Sequence, residues 1–173
     1  MTTPLPDEYR CQILILTLSD RAFRQEYPDR SGPAVAARLE QFFREQGYAF
    51  EITAKILPDE ANLLADNLKE AFDRGTDLII TTGGTGIGPR DITVSTVTPL
   101  LDYTLPGIME MIRVKYGQNM PSALLSRSIA GVRGRTLVFT LPGSVRATGE
   151  YLDVILPLLQ HAFHMLHGND IHH

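Results

Sequence analysis

Asp77-Leu78-Ile79-Ile80-Thr81-Thr82-Gly83-Gly84-Thr85-Gly86-Ile87-Gly88-Pro89-Arg90-Asp91 joins a short apolar run to the densest glycine segment of the chain. Residues 77–82 read as a strand, since the run is too short for a helix. The same pattern recurs on either side. Residues 13–18 (ILILTL) read as a buried first strand, 50–57 as a second and 136–141 (TLVFTL) as a further one. Amphipathic stretches separate them. Ser31-Gly32-Pro33 opens a helix, with Ser31 as N-cap, Pro33 in the first turn and Val35, Leu39, Phe42 and Phe43 at helical spacing before Gly47. Pro58-Asp59 starts a second helix, carrying Leu63, Leu64, Leu68 and Phe72 up to Gly75. Strands alternating with helices predict an α/β fold, a three-layer sandwich with a mostly parallel central sheet flanked by helices.

Beyond the glycine segment, Thr93 caps a short helix to Leu101. Pro106-Gly107 opens another, to about residue 116. Residues 121–132 fit a helix or a strand, and Gly134 marks a turn. The loop Pro142-Gly143-Ser144 leads into a helix over about 147–166, which Pro157 is expected to kink or divide.

The length of 173 residues suits one domain, taken as 1–173, with a full core. Sixteen Lys+Arg against twenty Asp+Glu give a net charge of −4, which argues against a general nucleic-acid binder. It does not argue against a local anion site, because backbone N–H groups bind phosphate without adding charge. Cys11 is the sole cysteine, so the chain forms no intrachain disulfide and no Cys-based zinc site. A reducing, cytoplasmic setting is expected. The apolar run 11–18 is too short to span a membrane, and residues 1–10, with Asp7, Glu8 and two prolines, do not read as a signal peptide.

In an open parallel sheet, ligands bind beyond the carboxyl ends of the strands. Three loops leave there with unusual content: Ser19-Asp20-Arg21 through Asp29, Gly83 through Asp91, and Pro142-Gly143-Ser144. Four glycines in six residues leave backbone N–H groups uncovered, which suits a nest of donors around phosphate. Thr82 and Thr85 add hydroxyls. The spacing is neither a Walker A motif nor G-x-G-x-x-G. A sharp turn alone would need fewer glycines. Asp91, beside Arg90, suits a magnesium ion bridging phosphate oxygens, and equally suits a helix N-cap. Asp29 carries the same two readings. His161, His164 and His167 spread too far around a helix to face one ion and read as half-exposed positions near its C-terminus. Ser126 and Ser128 have no His–Asp pattern beside them. Ile108, Met109, Met111 and Ile112 read as a core or subunit-facing stripe. Leu100, Leu101, Ile108, Met109 and Ile112 offer more apolar surface than one small sheet needs, which points to a homo-oligomer.

These residues resemble a known family. Thr81-Thr82-Gly83-Gly84-Thr85-Gly86-x-x-Pro89-Arg90-Asp91-Ile92-Thr93 is similar to the signature of molybdopterin adenylyltransferases, the Mog type also seen in the gephyrin G domain. Leu18-Ser19-Asp20-Arg21, Asp29-Arg30-Ser31-Gly32-Pro33, Leu125-Ser126-Arg127, Gly131-Val132-Arg133-Gly134 and Leu141-Pro142-Gly143-Ser144 extend the resemblance over nearly the whole chain, in order. It implies a trimer that transfers AMP from Mg-ATP to the terminal phosphate of molybdopterin, releases pyrophosphate and hands the product to a molybdenum-insertion protein. It implies catalytic roles for Asp29 and Asp91, with magnesium at Asp91. Ligand contacts are implied at Ser19, Asp20, Thr82, Gly83, Gly84, Thr85, Gly86, Arg90, Ser126, Pro142, Gly143 and Ser144. The chain departs from the pattern at Thr93-Val94-Ser95, where relatives often read Thr-Pro-Glu, and at the bulky Ala22-Phe23-Arg24-Gln25. Two other readings use the same residues. One is hydrolysis of a nucleotide pyrophosphate. The other is a non-catalytic pterin-binding carrier or scaffold of the MoaB type.

Overall fold

Along Arg10–Leu18 (β1), Cys11, Ile13 and Ile15 turn to one side and Leu14, Leu16 and Leu18 to the other, and both sets are buried. A strand apolar on both faces must be covered on both. The computed structural model describes residues 9–168 and supplies the two covers. Ser31–Glu45 (α2), Pro106–Gly117 (α5) and Val145–Leu166 (α6) pack against Ile13, Ile15, Ile80 and Phe139. Ala61–Asp73 (α3) and Thr93–Val97 (α4) pack against Leu14, Leu16, Ile79 and Val138. The three-layer α/β sandwich is as expected.

The sheet has six strands. β1 pairs in parallel with Ala49–Leu57 (β2) on one side and Leu78–Thr82 (β3) on the other, and β3 pairs in parallel with Thr136–Leu141 (β6). Tyr103–Thr104 (β4) and Ala130–Arg133 (β5) complete the far edge through antiparallel pairs, giving the order β2-β1-β3-β6-β5-β4. The chain leaves β1 for β2 on one side, then returns to β3 on the other. That reversal opens a crevice at the carboxyl ends of β1 and β3, where such sheets bind ligands.

Several local expectations change. Ser31 is the first residue of α2, and the acceptor at that helix end is Asp29. The second helix begins at Ala61, after Pro58 and Asp59. Thr93 lies inside α4, its hydroxyl turned back to the Gly83 carbonyl, and a 3-10 turn at Thr98–Leu100 extends that segment. Residues 121–132 divide into a 3-10 turn, Pro121–Leu125, and β5. Pro157 does not divide α6, because Leu152, Ile155, Leu156, Leu159 and Phe163 are locked in the core on both sides of it. Burial of those side chains outweighs the one helical bond that proline removes.

Met109 and Ile112 are core residues, whereas Met111 and Val114 face outward. His161 is exposed and His167 half-buried, but His164 is buried, with no partner for its Nε2. Its position on the core side of α6, next to Phe163, overrides the expected half-exposure. Cys11 is buried, and burial pushes its thiol well above the usual range, which suits a packing role. Among the described residues no helix is long and apolar enough to cross a membrane. The signal-peptide reading of residues 1–10 falls largely outside the described residues.

Candidate functional site

The loop after β3 and the loop after β6 meet. Gly83 N donates to the Leu141 carbonyl at 2.9 Å, and Thr82 Oγ1 donates to the Pro142 carbonyl at 3.0 Å. A Cβ on Gly143 would stand 3.3 Å from Gly83 Cα, so the two backbones touch. Gly83 and Gly84 both have positive φ, 97° and 64°, a conformation L side chains rarely adopt. A Cβ on Gly84 would also collide with Thr93 Oγ1, the hydroxyl that donates to the Gly83 carbonyl at 2.8 Å. With the Gly83 N–H engaged by the Leu141 carbonyl, the turn leaves the amides of Gly84, Thr85 and Gly86 to form a nest of donors.

Gly83, Gly84, Thr85, Gly86, Asp91, Ser126, Pro142, Gly143 and Ser144 line one cleft of about 520 Å³. Tyr116, Met120, Leu125 and Tyr151 form its apolar and aromatic walls. Ser144 Oγ caps α6 by accepting from Ala147 N, so the N-terminal end of that helix opens on the cleft. Ser126 Oγ accepts from Tyr151 Oη at 2.9 Å and pairs with Ser128 Oγ, a structural network rather than an activated nucleophile. A second cleft of about 710 Å³ lies on the other side of the glycine loop, between α3 and α4. Both clefts are lined by Ile87 and Asp91, which form the ridge between them.

Asp91 does not cap α4. Its Oδ2 accepts from Gly88 N at 2.7 Å and folds the loop around its own carboxylate. Arg127, which the sequence reading did not single out as a site residue, locks that loop. Its guanidinium donates to the Gly86 carbonyl and the Asp91 carbonyl, both at 2.6 Å, and its amide donates to the Thr85 carbonyl.

Ser19, Asp20 and Arg90 gather at a neighbouring point. Ser19 caps the single-turn helix Asp20–Phe23 (α1). Asp20 and Asp59 exchange backbone-to-carboxylate hydrogen bonds at 3.0 and 3.2 Å, and Arg90 donates to Asp20. The Asp59 amide, with help from Arg90, holds the Asp20 carboxyl below its ordinary pKa. Burial raises that of Asp59, and the negative charges of Asp20 and Asp91 add to it. Asp59 lines neither cleft but is a neighbour of the site through Asp20, a placement that its sequence context, an ordinary Pro-Asp helix start, concealed. The signal was available in the topology, because the loop after β2 leaves at the same carboxyl edge.

Asp29 lines neither cleft. Its Oδ1 accepts from Ser31 N, Ser31 Oγ and Gly32 N, and its Oδ2 from Thr17 Oγ1. Of its two readings, these contacts describe the cap. Asp29→Ala is therefore expected to cost about 1–2 kcal/mol of stability, and Asp29→Asn less, in urea denaturation. A fall in turnover for Asp29→Asn at unchanged stability would assign the carboxylate to chemistry instead.

Three carboxylates, Asp20, Asp59 and Asp91, with Arg90 as their partner cation, leave negative charge that a divalent ion would offset. Among the described residues no group of three His, Cys, Asp or Glu side chains is assembled as a metal cage. Magnesium does not need one, since it takes one or two carboxylates and completes its shell with water and substrate phosphate. Asp91, which lines both clefts, fits that use.

Fold and site together define an α/β protein with a glycine-rich loop between two clefts at the switch point of its sheet. The chain belongs to the family described as "Probable molybdopterin binding domain", which it matches over residues 14–161. It is 40% identical over 160 residues to a gephyrin of Dictyostelium discoideum, covering 89% of this chain and 22% of that protein. It is 36% identical over 157 residues to the molybdopterin adenylyltransferase of Pyrococcus furiosus, covering 88% and 87%. The solved structure of the molybdopterin biosynthesis enzyme MoaB from Thermus thermophilus superposes with a TM-score of 0.78 at 40% identity, over 91% of this chain and 97% of that one. The chain spans half or less of the length of several curated relatives it matches.

Proposed function

We propose that this chain is a molybdopterin adenylyltransferase, a nucleotidyltransferase of molybdenum cofactor biosynthesis. A terminal phosphate oxygen of molybdopterin attacks the α-phosphorus of ATP, the bond to the β-phosphate oxygen breaks, and pyrophosphate leaves. The observation that carries the reading is the ridge of Ile87 and Asp91, which faces two clefts at once. A reaction joining two phosphate-bearing substrates needs two clefts meeting at one charged point, whereas a carrier needs one. The named relatives support the same reading.

The attacking phosphate oxygen is already anionic, so no histidine base or serine nucleophile is needed. The demand is for positioning and charge neutralisation. The Gly84–Gly86 nest and the N-terminus of α6 hold the pterin phosphate. Asp91 would hold magnesium, which would neutralise charge on the ATP phosphate oxygens. Arg127 keeps Asp91 on the ridge, and Arg90 holds Asp20 against Asp59. Asp29 contributes by fixing the start of α2.

The chain is taken as one domain over 1–173, working as a cytoplasmic homotrimer that passes its product to a molybdenum-insertion protein. The outward side chains Met111, Val114, Leu124 and Leu125, each more than half exposed, are the surface that assembly would use. The test is incubation with molybdopterin and Mg-ATP, followed by chromatography for the adenylylated pterin and pyrophosphate. ATP cleavage without molybdopterin would make the chain a hydrolase. Molybdopterin binding with ATP left intact would make it a carrier.

A further inference from the structure

Glu150 lines the cleft that holds the glycine nest, and the reading of that cleft so far gives it no task. It is a carboxylate in a cavity whose other end is built for an anion. It lies six residues beyond Ser144 along α6, about 9 Å from the helix start at a rise of ~1.5 Å per residue. Its Oε1 accepts from Arg146 Nε at 2.9 Å, and among the described residues nothing donates to its Oε2. The Arg146–Glu150 pair does not account for the residue by helix stability alone. Acid four residues before base is the favourable order, and here the order is reversed.

A cleft with donors at one end and an acceptor-only carboxylate at the other selects a ligand of matching polarity. That ligand is an anion at one end and a row of N–H groups at the other, with a flat apolar body between. We propose that Glu150 is the specificity residue of this cleft, reading the N–H edge of a 2-amino-4-oxopyrimidine ring whose phosphate sits in the Gly84–Gly86 nest. The inference rests on the proposed function and deepens it, since a pterin carries that edge. Guanine carries it too, so the chemistry belongs to both ring systems. Tyr116 and Met120 line the same cleft and suit a planar ring. The pairing also explains the carboxylate's position. Closer to the nest it would repel the phosphate, while two turns away it meets the far end of the ring.

The experiment measures dissociation constants of three probes by calorimetry, for the full chain and for Glu150→Gln. The probes are (pterin-6-yl)methyl phosphate, GMP and (naphthalen-2-yl)methyl phosphate, which lacks the N–H edge. The pterin phosphate is expected to bind the unaltered chain best. Glu150→Gln is expected to weaken it by roughly ten- to hundredfold, because one acceptor oxygen becomes a donor facing N–H groups. The naphthyl phosphate should bind both proteins alike, which reports an intact nest. Equal pterin affinity in the two proteins would overturn the role of Glu150, and adenylylation by the unaltered chain would then leave the proposed function standing. A preference for GMP, lost in Glu150→Gln, would keep Glu150 as the reader and overturn the pterin reading. No binding of any probe to the unaltered chain would overturn both.

Discussion

Replacing Asp91 by Asn is expected to cut adenylyl transfer roughly a hundredfold or more, a loss of about 3 kcal/mol of transition-state stabilisation, while molybdopterin still binds. The separation follows from what each oxygen does. Asp91 Oδ2 accepts from Gly88 N, and an amide oxygen takes over that bond, so the loop keeps its shape. What Asn lacks is the negative charge that would hold magnesium on the ridge. Asp91→Ala would confuse the two effects by removing the loop contact as well. The measurement pairs single-turnover adenylylation with a molybdopterin dissociation constant. Near-normal turnover in Asp91→Asn would leave Asp91 a loop-folding residue and move the chain toward the carrier reading.

Gly84→Val is expected to remove binding by damaging the loop itself. From the sequence, a branched side chain there predicts a clash with bound phosphate. In the structure, the first atom it meets is Thr93 Oγ1. That hydroxyl cannot step aside without losing its bond to the Gly83 carbonyl. Valine must also adopt a φ of 64°, which is costly for a branched residue. Strain of ~1–2 kcal/mol and a lost hydrogen bond of ~1 kcal/mol give a destabilisation of about 2–3 kcal/mol. For a domain of this size that is a fall of roughly 4–12 °C in Tm. Thermal unfolding without ligand checks it. An unchanged Tm with lost binding would return the effect to a clash with phosphate.

The strands that read most clearly from sequence are those buried on both faces. β3 and β6 are unbroken apolar and threonine runs, because helices cover them above and below. β4 and β5 escaped the same reading. Tyr103–Thr104 is two residues long, and Ala130–Arg133 contains a glycine and ends on an exposed arginine. Strands that short have no period to detect. The glycine nest was legible because backbone conformation constrains residue type directly. Its supports were not. Arg127 acts through carbonyls 36 and 41 residues away, and Asp59 through a loop 39 residues away. Such contacts leave no local pattern. Asp29 and Asp91 look alike in sequence, each an Asp near a helix start. Only the hydrogen bonds distinguish the one that caps a helix from the one that folds a loop and faces two clefts.

Tyr9 and His167 lie near the two limits of the described chain, yet Tyr9 Oη is 3.0 Å from His167 Nε2, and both rings pack edge to face. Tyr9 also donates to Asp77, the buried residue just before β3. Tyr9 and His167 are therefore fastened together at the amino ends of the strands, the side opposite the two clefts. A domain joined there, before or after, would hang away from the ridge of Ile87 and Asp91. The geometry is that of a plug-in module, whose working face stays open whatever it is attached to.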